Sequence, residues 1–129
     1  MTSPTFHMIP GAPTPVAPFS HAVETDGWLF VTGQMPDTPE APGQLPDTIE
    51  AQTRAVMENL RLVLAGLDLG FEHVAMARIY LTRFKQDYAE MNDVYRSYFP
   101  PDRLPARTCV GVTALARDAA VEIDLVARK

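Results

Sequence analysis

The chain has 129 residues and a formal net charge of −5 at pH 7; 47% of its residues are hydrophobic and 21% are charged. These values predict one soluble globular domain over residues 1–129, and no run approaches the ~20 apolar residues of a transmembrane helix. The acidic balance and the scattered basic residues argue against nucleic-acid binding, because affinity for phosphate backbones comes from clustered Lys and Arg. A single cysteine excludes an intramolecular disulfide and a cysteine-rich zinc site, and we expect a cytoplasmic protein.

Nine of the twelve prolines lie within the first 46 residues. The N-terminal part of the chain is therefore predicted to be rich in loops, and the remainder to consist mainly of helices and strands. Residues 1–16 carry four of the prolines, lack the features of a secretory signal and include a possible edge strand. Residues 19–23 permit a strand and residues 28–32 predict a stronger one, and the Asp-Gly pair between them favours a hairpin. Residues 35–46 hold four prolines and are predicted to form a loop.

The clearest helix is predicted to begin after Asp47, whose carboxylate can cap free N–H groups, while Glu50 completes a capping-box-like pair. Its apolar residues recur every three or four positions and form one stripe: Ile49, Val56, Leu60, Val63, Leu64 and Leu67. Residues 74–82 then predict a strand, because branched and aromatic side chains are frequent there. A second amphipathic helix is predicted over residues 87–98, with Tyr88 on its core side, and the two prolines that follow end it.

Two further strands are predicted near the C-terminus, and they carry the most informative charged residues. In the first strand, alternation separates Arg107 from the apolar Val110. In the second, an apolar row beginning at Val121 alternates with two carboxylates. If the two strands form a hairpin, their apolar rows merge into one core, and the face behind that core holds Arg107, Cys109, Glu122 and Asp124. This face is a possible binding site.

The predicted order of elements is strands, helix, strand, helix and two strands, which is an α+β arrangement. Two amphipathic helices cover only one face of a sheet, so the other face must meet water or another chain. The face assigned to Arg107 and Glu122 is too apolar for a fully wet surface. We therefore expect an oligomer that packs on this face, with the charged residues in clefts between subunits.

Several segments match a known family in its order and spacing. They are Pro18-Phe19-Ser20-His21-Ala22-Val23, Phe30-Val31-Thr32-Gly33-Gln34-Met35-Pro36, Gln52-Thr53-Arg54 through Asn59-Leu60, Asn92-Asp93-Val94-Tyr95-Arg96-Ser97-Tyr98-Phe99, Pro105-Ala106-Arg107-Thr108-Cys109-Val110 and Val121-Glu122-Ile123-Asp124-Leu125-Val126-Ala127. In these segments the chain resembles the RidA (YjgF/UK114) family of enamine and imine deaminases. The resemblance implies a chorismate-mutase-like α+β fold of order β-β-β-α-β-α-β-β, with one sheet and two helices on one face. It also implies a homotrimer with a barrel-like core and active sites in the clefts between subunits.

The resemblance further implies a chemistry. The family hydrolyses reactive enamine and imine intermediates such as 2-aminoacrylate to a 2-keto acid and ammonia, and it uses no cofactor. Arg107 matches the arginine that binds the substrate carboxylate, and Glu122 matches the glutamate thought to handle the attacking water. The other positions that match the family's pocket are Thr32, where the family often has serine, Gly33, Asn92 and Cys109. Phe19 departs from the pattern, because active deaminases usually carry tyrosine there, so a hydroxyl is missing.

Simpler interpretations of these residues remain open on the sequence alone. Arg107 could form an intersubunit salt bridge with Glu122 or Asp124, and Glu122 could be an ordinary solvent-facing strand residue. Cys109 has no histidine motif nearby and is interpreted as a small buried hydrophobe rather than a nucleophile. The three histidines show no metal-ligand spacing, so no metal is predicted and structural or surface roles are favoured: His7, His21 and His73.

The preferred hypothesis is hydrolytic deamination of a small carboxylate substrate. In this hypothesis Arg107 holds the substrate carboxylate while Glu122 orients and deprotonates a water. One alternative is a non-catalytic trimer that binds small carboxylates, which the absence of a hydroxyl at Phe19 motivates. A less favoured alternative is an endoribonuclease, against which the acidic charge and the absence of a histidine pair for RNA cleavage count.

Overall fold

Residues 3–129, which the computed structural model describes, form a single mixed sheet of six strands with two α-helices on one of its faces. The elements are β1 (Thr5–His7), β2 (Ala22–Thr25), β3 (Trp28–Gln34), α1 (Ile49–Gly66), β4 (Val74–Leu81), α2 (Phe84–Arg96), β5 (Ala106–Gly111) and β6 (Val121–Arg128). The predicted α+β order is confirmed. Residues 1 and 2 of the proline-rich segment 1–16 lie outside the described residues, and β1 within that segment pairs with β2 at one edge of the sheet.

The hairpin of β2 and β3 follows from its Asp-Gly turn. Asp26 and Gly27 both have positive φ, of 52° and 81°. This combination is what a two-residue type I′ turn requires, and aspartate and glycine tolerate it better than most residues. The turn pairs Thr25 with Trp28 and so sets the antiparallel register of both strands. The predicted hairpin is confirmed, although β3 continues to Gln34, beyond its predicted end.

Helix α1 buries the apolar stripe that its sequence predicted, and every member is buried: Ile49, Val56, Leu60, Val63, Leu64 and Leu67. Its N-cap is Thr48 rather than the predicted Asp47. The backbone of Thr48 is extended, and its Oγ1 accepts a hydrogen bond from the backbone N–H of Ala51 at 3.1 Å. Both residue types cap helices well, so composition alone did not decide between two adjacent candidates. Helix α2 begins at Phe84, earlier than predicted, and ends at Arg96.

The strand order across the sheet is β1-β2-β3-β6-β4-β5, so β4 lies between the two C-terminal strands. β6 pairs antiparallel with both β3 and β4, whereas β5 pairs parallel with β4 at the far edge. The predicted hairpin of the two C-terminal strands is therefore wrong. The reason is burial: alternate residues of β6 are enclosed, as a central strand requires, whereas β5 is exposed along most of its length, as an edge strand allows.

Pairing with β4 reverses the predicted face of Arg107. Arg107 lies opposite Ala77 and Cys109 lies opposite Ile79, and both partners are fully buried in the core beneath the helices. Paired residues of neighbouring strands point to the same side, so Arg107 and Cys109 point to the helix-covered side. The alternation of β5 alone predicts the wrong face for both residues. It predicts Val110 in the core, but Val110 is 40% exposed on the opposite face of the sheet.

The two carboxylates of β6 lie on the open face of the sheet, which the helices do not cover. Glu122 pairs with Tyr80, and Asp124 pairs with Arg78. Asp124 accepts hydrogen bonds from Arg78 Nε at 2.8 Å and from Tyr80 Oη at 3.1 Å. The predicted common face of Arg107 and Glu122 is therefore wrong, because the sheet separates them.

The open face carries large apolar side chains that residues 3–129 leave exposed: Phe6, Trp28, Phe30 and Val110. On β3, Leu29 and Val31 alternate with Trp28 and Phe30 and are buried on the other face, beneath α1. The sheet is thus apolar on both sides, although helices cover only one. In the part of the chain that is described, no helix has the length and apolar character needed to cross a membrane.

Candidate functional site

Arg107 is held at the edge of the sheet by three side chains of α2. Its Nη1 donates a hydrogen bond to Asn92 Oδ1 at 2.7 Å, and its Nη2 donates one to Tyr88 Oη at 3.1 Å. The guanidinium carbon lies 5.2 Å from the ring centroid of Tyr95 and 5.7 Å from that of Tyr88. Arg107 is thus fixed by hydrogen bonds and by contact with two aromatic rings, without an opposite charge.

No carboxylate oxygen of residues 3–129 lies within 4.0 Å of the Arg107 guanidinium; the ion pairs of this region of α2 belong to Arg83 with Asp87 and to Arg96 with Asp93. The bonds to Asn92 and Tyr88 leave the other guanidinium N–H groups without a partner in the described chain. A fixed cation with unused donors suits an incoming carboxylate, which it can bind with two parallel hydrogen bonds.

Cys109 lies two residues along the same face and packs half-buried against the core. Burial raises the pKa of its thiol, although the nearby Arg107 charge opposes this effect. The thiol is therefore protonated at neutral pH, which is the opposite of what a nucleophilic cysteine requires. This agrees with the interpretation of Cys109 as a small buried hydrophobe.

Glu122 lies on the other side of the sheet, next to an irregularity in β3. The register between β3 and β6 shifts between Val31 and Gln34, so Thr32 and Gly33 form a bulge beside Glu122. A Cβ atom on Gly33 would collide with the Glu122 carboxylate. Glycine at this position therefore lets the carboxylate lie directly against the backbone of β3.

The environment of Glu122 disfavours its charged form. Burial raises the pKa of its carboxyl group, and the negative charge of Asp124 raises it further. A carboxyl group with a raised pKa can exchange protons closer to neutral pH than an ordinary glutamate.

Glu122 opens into a cavity of about 240 Å³ between β3, the N-terminal segment and the loop after β3. Its lining is mainly apolar and includes Val16, Ala17, Phe19, Thr32, Gly33, Met35, Arg117 and Glu122. Arg117 has a left-handed backbone conformation, with φ of 60°, and its Nη1 lies 3.9 Å from Asp37 Oδ2 at the edge of the cavity.

His21 fixes the segment that forms one wall of this cavity. Its Nδ1 accepts a hydrogen bond from the backbone N–H of Ile9 at 2.7 Å, so the proton is on Nε2, which donates to the carbonyl of Pro13 at 2.7 Å. His21 is 3% exposed. This is a structural role, as the sequence favoured for the histidines.

The seven predicted site residues therefore divide into two groups on opposite sides of the sheet. Arg107, Asn92 and Cys109 form the first group, which we call the arginine half-site together with Tyr88 and Tyr95. Phe19, Thr32, Gly33 and Glu122 form the second, which we call the glutamate half-site. Sequence reasoning missed Tyr88, although it precedes Asn92 by one helical turn, a spacing that places both on one face of α2.

Comparison with known proteins identifies the family. The family model described as Endoribonuclease L-PSP matches residues 10–129. A RutC family protein of Pyrococcus horikoshii is 36% identical over 118 residues, which cover 92% of this chain and 92% of the relative. The chain belongs to the RidA/L-PSP family.

Solved structures of similar proteins show the same fold. The Rid family protein YyfA of Yersinia pestis superimposes with a TM-score of 0.91 at 32% identity, over 98% of this chain and 100% of that one. E. coli TdcF with bound serine superimposes with a TM-score of 0.86 at 26% identity, over 95% and 98% of the two chains. The predicted family and fold are thus confirmed.

Proposed function

We propose that this RidA/L-PSP family protein hydrolyses small imines and enamines of 2-amino acids, of the 2-aminoacrylate type, to a 2-keto acid and ammonia without a cofactor. The observation that carries the proposal is the Arg107 guanidinium, which Asn92 and Tyr88 hold in place while no carboxylate of residues 3–129 neutralises it. This arrangement suits a small ligand with a carboxylate group. The related TdcF binds serine, which also carries a carboxylate.

Glu122 is the group that handles the proton in this proposal. The carboxylate orients a water in the cavity and removes its proton as the water oxygen attacks the imine carbon. That proton then passes to the nitrogen, which gives a carbinolamine. The hydroxyl proton of the carbinolamine is transferred to the amino nitrogen as the carbon–oxygen double bond forms, so the carbon–nitrogen bond breaks and ammonia and the keto acid are released. Imines hydrolyse readily, so positioning and one acid–base group are sufficient for catalysis.

Two copies of the chain complete one active site in this proposal. The arginine half-site and the glutamate half-site lie on opposite sides of one sheet, so a single chain cannot bring Arg107 and Glu122 to one small molecule. The exposed apolar residues of the open face, such as Phe30 and Val110, favour burial against another subunit. A homotrimer with active sites between subunits satisfies both observations.

Replacing Arg107 with alanine tests the proposal. An amino-acid oxidase generates imines in the assay, and ammonia or keto acid is measured for 2-iminobutyrate and 2-iminopropionate. We expect Arg107→Ala to lower kcat/KM by about tenfold to a hundredfold, because it removes a charged hydrogen-bond pair to the substrate. Arg103→Ala is the matched control, since Arg103 is exposed and bonds only the carbonyl of Glu72 among the described residues. Full activity of Arg107→Ala in an intact oligomer would contradict the proposal.

The absence of a hydroxyl on Phe19 favours a second candidate, a non-catalytic protein that binds small carboxylates. In that case keto acids bind at Arg107, yet no ammonia forms above the uncatalysed rate. Comparison of the wild type with Phe19→Tyr in the imine assay separates the two candidates. The family description also suggests ribonuclease activity, but only RNA degradation that survives both Arg107→Ala and rigorous repurification would support it here.

A further inference from the structure

The arginine half-site contains a hydroxyl group whose proton has no acceptor in the described chain. Tyr88 Oη accepts a hydrogen bond from Arg107 Nη2 at 3.1 Å, and a hydroxyl that accepts in this way keeps its own O–H for donation. Among residues 3–129 no side-chain or backbone oxygen receives that O–H. Tyr88 is 36% exposed and lines the same cavity as Arg107 and Asn92. The O–H is therefore available to a bound ligand.

The position of this hydroxyl is fixed by packing. The ring of Tyr88 stacks on that of Phe84, with ring centroids 4.7 Å apart and an interplanar angle of 24°. The other tyrosine that contacts Arg107 is different, because Tyr95 is buried and its Oη has no partner among the described residues. Of the two hydroxyl groups, only that of Tyr88 can reach a ligand on the guanidinium.

We propose that Tyr88 determines specificity by donating a hydrogen bond to the atom next to the substrate's carboxylate. That atom is the imine nitrogen of the substrate and the keto oxygen of the product, and both accept hydrogen bonds. Its carbon is bonded directly to the carboxylate carbon, so the acceptor lies beside the group that Arg107 binds. Tyr88 Oη flanks the same guanidinium. The inference rests on the proposed function, and it makes Tyr88 a selector for 2-imino and 2-keto acids over plain carboxylic acids.

Calorimetric titration of the full chain with pyruvate and with propionate tests this inference. The two acids have the same carbon number and one carboxylate each, but only pyruvate carries the keto oxygen. Tyr88→Phe also removes the bond from Arg107 Nη2, which affects both acids alike. We therefore expect it to weaken pyruvate binding by about threefold to tenfold more than propionate binding, which corresponds to one neutral hydrogen bond. Tyr98→Phe is the matched control, because the Tyr98 hydroxyl donates to Glu58 at 2.7 Å, outside this cavity; it should change neither affinity.

The pair of acids separates a ligand contact from a structural role. Equal weakening of both acids by Tyr88→Phe would mean that Tyr88 only orients Arg107, and this would overturn the inference. Unchanged binding of pyruvate to Tyr88→Phe would also overturn it while leaving the proposed function intact. A wild-type protein that binds neither acid would overturn the proposed function itself, and the inference with it.

Discussion

At the residue scale, Glu122 occupies a position that makes its negative charge unfavourable. Its carboxyl group is half-buried against the bulge of β3 and lies near a second carboxylate, that of Asp124, and both raise its pKa. Asp124 itself is neutralised in part by Arg78 at 2.8 Å. The arrangement keeps an ionisable group beside a mainly apolar cavity, although a glutamine of the same shape would be less costly to bury.

The pH dependence of activity follows from this position. In the proposed mechanism the carboxylate form of Glu122 is the active one, so kcat/KM should fall as the pH decreases through a pKa above the ordinary value of 4.5. Glu122→Gln should lower kcat/KM by about a hundredfold or more and should abolish this acidic limb. A pH–rate profile on pre-formed imine, corrected for spontaneous hydrolysis, measures both. An unchanged profile in Glu122→Gln would contradict the role of Glu122.

Glu122→Gln should lower activity but raise the stability of the folded protein. Because the pKa of Glu122 is raised in the folded state, the native protein retains a proton that the unfolded chain loses, and stability decreases as the pH rises from about 4.5 through the raised pKa. Glu122→Gln removes this penalty. Its midpoint of thermal unfolding should therefore be higher than that of the wild type at pH 7, and the difference should disappear below pH ~4.5.

The roles of single residues were only partly predictable from the sequence. Arg107 and Glu122 were found because the quoted segments resemble a family in which both positions have functions. Tyr88 was assigned to the core side of α2, but its Oη contacts Arg107, which lies 19 positions along the chain. Such a contact depends on how α2 crosses the edge of the sheet, and alternation within one segment does not contain this information.

At the scale of elements, the bulge of β3 is the local feature that shapes the glutamate half-site. Thr32 and Gly33 of β3 together lie opposite one residue of β6, so β3 has one extra residue. The regular pairs on either side are Val31 with Leu125 and Gln34 with Ile123. Both pairs keep buried residues on the core side. The extra residue is accommodated on the open face, where Glu122 lies.

The steric fit at Gly33 gives a test of this element. A methyl group there collides with the Glu122 carboxylate, the free end of a flexible side chain, so Gly33→Ala should displace that carboxylate. We expect it to lower kcat/KM by at least about tenfold and the free energy of unfolding by no more than about 1 kcal/mol. Glu122→Ala provides the matched background, because it removes the atoms that collide. In the Glu122→Ala background, Gly33→Ala should cause little further decrease in the free energy of unfolding measured with denaturant. If the two decreases were fully additive, the effect of Gly33→Ala would not come from the collision with Glu122.

Local patterns predicted most elements, whereas the order of the strands needed non-local information. The Asp26-Gly27 turn and the stripe of α1 depend on residues a few positions apart, so the sequence shows them directly. β5 has few buried side chains and apolar residues on both faces, such as Cys109 and Val110. Its alternation therefore fitted two opposite orientations, and only pairing with β4 distinguishes them.

At the scale of the whole molecule, the sheet separates the groups that the proposed chemistry must bring together. Arg107 lies on the helix-covered side, near the edge formed by β5, and Glu122 lies on the open side near β3. Phe30 and Val110 are exposed on the open side, and in the proposed homotrimer they are buried against another copy. The central claim is therefore that each active site takes Arg107 from one subunit and Glu122 from another.

Subunit complementation tests this claim most directly. Arg107→Ala and Glu122→Gln chains carrying different affinity tags are co-expressed, and the mixed oligomers are purified through both tags and assayed for imine hydrolysis. If each site takes one residue from each of two chains of a trimer, a mixed trimer contains one intact site, so activity should recover to about a third of the wild-type value. Mixed oligomers that are no more active than either parent variant would contradict the account.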